Sequence, residues 1–132
     1  MKVLNFSMWL GDKKISLYEI LNNLRFFVDV NWLMYEFWGV RDPFNGSPMQ
    51  DFERKLRSTP TGYPFSSAEI EEFSRKIEDL NDLILVGFHD KKKAIEIEGF
   101  DSATWRVVAD ENLVDSLSLE NFVVRNGSGS TR

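Results

Sequence analysis

The chain has no cysteine, which removes disulfides, thiolate metal sites and cysteine nucleophiles together and fits a cytoplasmic address. It has one histidine. His89 sits in the run His89-Asp90-Lys91-Lys92-Lys93, a polar hairpin tip where nothing excludes water, so it reads as solvated rather than as the base of a nucleophile triad. A zinc site lacks its second histidine, and no carboxylate spacing resembles a calcium loop. The glycines are scattered, and none is followed by Lys-Ser/Thr ahead of a helix, so no phosphate loop is expected. No metal and no cofactor is therefore expected. No apolar run approaches a membrane span, and Met1–Leu10 lacks a small-residue cleavage site, so neither a membrane partner nor a leader is expected.

What the chain does have is aromatic residues and acid. Phe26–Trp38 carries six aromatics in thirteen positions. At period two, Phe26, Val28, Val30, Trp32, Met34 and Trp38 share one side, broken by Glu36 alone. The β-branched and aromatic content favours a strand. A continuation of the preceding helix is the alternative, and it would leave Phe26, Val30, Trp32, Leu33 and Phe37 facing water. Either a buried, pKa-raised Glu36 acts as a pocket carboxylate, or Arg25 or Arg41 pairs with it near the strand end. Trp32, Trp38 and Trp105 could stack bases, but inside apolar strand patterns they read as core.

The net charge is −5, with +1 in residues 1–65 and −6 in residues 66–132. An acidic second half repels phosphate backbones and steers basic partners, so a nucleic-acid partner is not expected, and the three lysines of Lys91–Lys93 do not alter that. Between Ala94 and Val124, seven acids face one base, Arg106.

The rest of the chain alternates helix and strand signals. Val3–Leu10 alternates as a strand. Ser16 caps a helix over 16–25, with Glu19 completing a capping box and Leu17, Ile20, Leu21 and Leu24 inward. Gly39–Gly46 reads as a loop, and Ser47-Pro48 opens a short helix burying Met49, Phe52 and Leu56. Ser66 and Glu69 box a helix expected over 66–81, with Ile70, Phe73, Ile77 and Leu80 as its stripe and Glu71–Arg75 and Glu72–Lys76 as i,i+4 pairs. Leu83–Phe88, Ala94–Gly99 and Thr104–Ala109 form a three-strand antiparallel meander over about 83–109. Asp110 caps a helix expected over Glu111–Leu119, with Leu113, Val114 and Leu117 inward; Phe122–Val124 closes the chain as a strand or a docked tail. The expectation is one α+β domain over 1–125, helices on an antiparallel sheet, and a flexible tail over 126–132.

The stretches MQDFERKL, GYPFSSAEIEEFSRKI, DLILVGF and FDSATWRVVAD, in this order of elements over about residues 16–120, resemble small bacterial immunity proteins of polymorphic-toxin and contact-dependent inhibition systems. The resemblance implies a non-enzymatic protein that binds and neutralises one cognate toxin domain, often a basic nuclease. It carries over no binding residue. From charge alone, the candidate partner-binding residues are Asp101, Asp110, Glu111 and Asp115, followed by Glu78 and Asp79 on the outer side of the 66–81 helix. Two other function classes stay open. One is a small-ligand binder or carboxylate enzyme with a pocket formed by Glu36, Tyr35, Tyr63 and Arg41; a cavity beside Glu36 is what would favour it. The other is a structural or adaptor domain used through a sheet edge.

Overall fold

The computed structural model describes residues 1–41 and 49–125. The loop signals of 42–46, the Ser47-Pro48 helix start and the tail over 126–132 lie outside the described residues. In chain order, Lys2–Ser7 is β1, Trp9–Leu10 β2, Lys13–Lys14 β3, Leu17–Asn23 α1, Arg25–Phe26 β4 and Asn31–Arg41 β5. Met49–Arg57 is α2, Tyr63–Phe65 β6, Ser67–Arg75 α3, Ile77–His89 β7 and Lys92–Phe100 β8. Thr104–Ala109 is β9, Val114–Asp115 β10 and Leu117–Arg125 α4. No described helix is long and apolar enough to cross a membrane.

The architecture is α+β: an antiparallel sheet of order β1-β9-β8-β7-β5-β6, with helices packed on one face. The meander stands as β7-β8-β9, turned at Asp90-Lys91 with both φ angles positive, the geometry of a tight two-residue hairpin. On the covered face, Leu17 and Ile20 of α1, Phe52 and Leu56 of α2, Ile70 and Phe73 of α3, and Leu119 and Val123 of α4 join the inward strand residues in one buried cluster. Both N-cap serines are in place, but the reciprocal box forms at Ser66 alone and not, as expected, at Ser16 as well. The Ser16 side chain accepts the Glu19 N–H at 3.1 Å, and Ser66 and Glu69 complete a reciprocal box. Glu71–Arg75 (2.6 Å) and Glu72–Lys76 (3.3 Å) are the expected pairs along α3.

Four expectations are corrected. The helix over 66–81 stops at Arg75, and Ile77 and Leu80 belong to β7. The strand expected across Phe26–Trp38 is split into β4 and β5, and β5 runs on through Gly39–Arg41, where a loop was expected. The expected strand Val3–Leu10 breaks after Ser7 into β1 and β2. The helix expected over 111–119 is a turn followed by β10. The last helix is α4, which takes in Phe122–Val124 and buries Leu119 and Val123 while Leu117 faces solvent.

Bulges account for the first of these and for Glu36. Met34 opposes Leu85 and Glu36 opposes Ile84, so Tyr35 is an extra residue in β5. Gly39 opposes Leu80 and Trp38 opposes Asp82, so Asn81 is extra in β7; Glu78 is a second one. Each extra residue moves the following side chains to the other face. Inward positions on β7 therefore fall at Ile77, Leu80 and Leu83, a spacing of three that imitates a helix stripe. On β5 they fall at Trp32, Met34 and Phe37, and this leaves Glu36 and Trp38 pointing outward, both exposed. The expected burial of Trp38 is thus overturned and the buried alternative for Glu36 fails with it, whereas Trp32 and Trp105 are core as expected.

Candidate protein-binding surface

Directly opposed residues of an antiparallel pair share a face, so the register lays out the uncovered side of the sheet row by row. One row is Leu33–Val86–Glu96–Val108–Val3, and the next is Glu36–Ile84–Glu98–Arg106–Asn5. Beyond them lie Trp38 beside Asp82 on one side and Phe100 beside Thr104 on the other. Valine, isoleucine and leucine form an apolar middle, with carboxylates set into it and exposed aromatics at one end. Trp38 is 59% exposed and Phe100 42%. The bulge at Tyr35 turns Tyr35 and Glu36 outward together at that same end.

The carboxylates in the middle are held by neighbours. Glu98 accepts from Arg106 at 3.1 Å and Glu96 from Lys93 at 2.9 Å. Burial pushes the Glu98 carboxyl up, and its hydrogen bond with Glu96 adds to this; the Lys93 ammonium holds Glu96 down. Glu98 therefore holds its proton more tightly in the folded chain than in the unfolded one. It disfavours the fold above its raised value, and that penalty fades as pH falls through it.

The six acids proposed from charge separate into two groups at opposite ends of the sheet. Glu78 and Asp79 on β7 and Asp101 at the β8–β9 turn lie at the aromatic end, and Asp82 joins them. Lys14 ties this end together, donating to Asp79 and to the Leu80 carbonyl at 2.7 Å each and to the Ser102 hydroxyl. The Asp82 carboxylate accepts the Asp101 N–H at 2.9 Å, and the Trp9 indole N–H donates to the Ser102 carbonyl at 2.8 Å. Lys14 also holds the Asp79 carboxyl below the usual carboxylate range.

Asp110, Glu111 and Asp115 lie at the far end, past β9. Asp110 is largely buried; it accepts the Asn112 N–H at 3.0 Å and pairs with Lys92 at 3.4 Å. Asp115 accepts the Leu117 N–H at 3.1 Å at the start of α4. Glu111 is exposed and lines a shallow 250 Å³ groove with Phe27, Asp115 and Leu117. Two of these three acids thus hold backbone donors in place.

Asp110 carries a pH prediction. The Asn112 N–H, and after it Lys92, lower its pKa below the ordinary 3.8. Its ionised form therefore stabilises the fold above that value, and the contribution is lost as pH falls through the lowered one. Asp110→Asn keeps an acceptor for the Asn112 N–H. It is expected to be less stable than the parent at pH 7, with the gap in denaturant midpoint narrowing as pH falls below the ordinary aspartate value of 3.8. A gap independent of pH would show that the carboxylate charge contributes nothing.

Of the residues named for a ligand pocket, Tyr35 and Glu36 line one groove and Tyr63 is not among its lining residues. Tyr63 turns into the ring cluster, 5.3 Å from Phe52 and 5.2 Å from Phe65 between centroids, and the Arg41 side chain lies outside the described residues. A groove of 210 Å³ does lie beside Glu36, lined also by Tyr35, Trp38, Asp82 and by Glu53 and Arg57 of α2. Sequence reasoning missed Asp82, Glu53 and the outward turn of Trp38 and Phe100. The available signal was the spacing of three between Met34 and Phe37 and between Leu80 and Leu83, where strict alternation fails. No protein-family model matches the chain, and no curated protein or solved structure matches it.

Proposed function

We propose that this chain is a non-enzymatic, cytoplasmic protein-binding domain of the immunity type, which neutralises a basic bacterial toxin by covering it with the open face of the sheet. The observation that carries the reading is the aromatic end of that face, where Tyr35, Trp38 and Phe100 stand exposed among Glu36, Asp82 and Asp101. Exposed aromatics anchored on a rigid sheet are the usual high-energy contacts of protein interfaces. The surrounding carboxylates speed encounter with a basic partner and make it salt-sensitive. The groove beside Glu36 supports a small-ligand reading less well. At 210 Å³ and open to solvent, it falls short of the roughly 300–1,000 Å³ common for small-molecule sites.

The test is co-expression with the product of the adjacent gene. That product is expected to arrest growth alone and to be neutralised by this chain. Trp38→Ala combined with Phe100→Ala is expected to weaken the complex at least about tenfold while leaving the fold intact. Asp82→Asn combined with Asp101→Asn is expected to slow association and flatten its salt dependence. Full protection by the folded aromatic double variant would overturn the assignment of the face.

A further inference from the structure

Among the described residues, the groove beside Glu36 differs from the rest of the face in that two of its three carboxylates have no partner. Among the described residues, Glu36 and Glu53 make no hydrogen bond or ion pair, and Asp82 uses one oxygen on the Asp101 N–H. The walls are aromatic: Tyr35 on the bulge and Trp38, a residue more than half exposed. The open groove of 210 Å³ suits one inserted side chain better than a whole ligand.

We infer that this groove is the receptor for an arginine side chain of the protein partner, its guanidinium lying against Trp38 and donating to the carboxylates of Glu36, Glu53 and Asp82. The inference rests on the reading of the open face as protein-binding and names the partner chemistry at its aromatic end. Arginine is favoured over lysine for geometric reasons. A planar guanidinium stacks on an indole and presents several N–H donors in one plane to carboxylates around it, whereas an ammonium is a compact, strongly hydrated point charge. Arg57 lines the same groove from α2 and makes no ion pair among the described residues, so it is the local cation that the incoming one must tolerate or displace.

The probe is a capped Gly-Arg-Gly peptide, with Gly-Lys-Gly and Gly-citrulline-Gly as its counterparts, titrated into the isotopically labelled chain and followed by the Trp38 indole and the Glu36 and Asp82 backbone amide signals. The arginine peptide is expected to shift these signals and saturate at about 1–10 mM, with the lysine peptide at least threefold weaker and the citrulline peptide silent. Trp38→Ala, and separately Glu36→Gln with Glu53→Gln, are expected to weaken arginine binding about fivefold or more, and Arg57→Gln to strengthen it. Equal shifts from the citrulline or lysine peptide, or no shift at Trp38, would overturn the inference. Failure here with loss of toxin protection in the Trp38/Phe100 double variant would leave the docking face standing without the arginine site. Peptide binding with protection unaffected by that double variant would leave the site and remove the face.

Discussion

Truncation of Phe73 to alanine is expected to lower the unfolding free energy by about 3–5 kcal/mol, a large part of the roughly 5–15 kcal/mol available to a domain of this kind. Phe73 is 1% exposed on the inner side of α3 and, among the described residues, meets the rings of Phe37, Phe52 and Phe65, with centroids at 5.3, 5.2 and 5.2 Å. These rings come from α2, β5 and β6, so a hole at Phe73 faces elements that are each fixed elsewhere and cannot close over it. The transfer term and the cavity term therefore both count in full, and the lost edge-to-face contacts add to them. Equilibrium denaturation should show the midpoint falling at nearly unchanged slope. Phe100→Ala makes the same chemical change at an exposed site and should move stability by no more than about 0.5 kcal/mol. Equal losses at the two positions would contradict the division between a packed face and an open one.

Phe73 was legible in the sequence because local and tertiary signals agree there. The Ser66–Glu69 box starts α3, and Ile70 and Phe73 lie one turn apart on its inner side. The agreement ends three residues later. Ile77 and Leu80 continue the spacing of the stripe, and no glycine or proline marks a stop, yet they enter the sheet. Two extra residues, Glu78 and Asn81, let a bulged strand imitate helical periodicity. The same ambiguity hid the candidate site. Strict alternation from Trp32 puts Glu36 and Trp38 in the core, and one inserted residue at Tyr35 turns both to solvent. The meander was readable because Ile95 and Ile97 on β8 and Trp105, Val107 and Ala109 on β9 keep a regular period of two. Charge counting found the acids but not their grouping, since sequence proximity says nothing about which end of a sheet a turn occupies. Asp101 and Asp110 stand at the two ends of β9, while Asp79 and Asp101, far apart in the chain, share one end.

Replacement of Gly39 by valine is expected to cost about 3 kcal/mol and to dismantle the acidic end of the sheet before the rest unfolds. A Cβ at Gly39 would overlap the Asp79 carbonyl oxygen and crowd the Leu80 Cα and the Phe37 ring at 3.1 Å each. Two of these three neighbours are backbone atoms on the bulged part of β7, so the clash cannot be relieved by a rotamer change, and overpacking penalties of about 1–3 kcal/mol apply at their upper end. The ladder between Val40–Arg41 and Ile77–Asp79 is the part able to yield, because bulges at Glu78 and Asn81 already interrupt it. Amide hydrogen exchange should lose protection at residues 39–41 and 77–80 while Leu85, Ile97 and Val107 stay protected. Gly11 serves as the control. It has a positive φ of 67°, and nothing lies within 4 Å of an added Cβ, so Gly11→Ala should cost only the roughly 1–2 kcal/mol of left-handed strain. Because Trp38 neighbours Gly39 and Asp82 neighbours Asn81, loosening this end should also weaken arginine-peptide binding in the groove beside Glu36. Loss of exchange protection at 39–41 with binding unchanged would mean that the receptor geometry is set by the Tyr35 bulge and α2, independently of the ladder beyond Trp38.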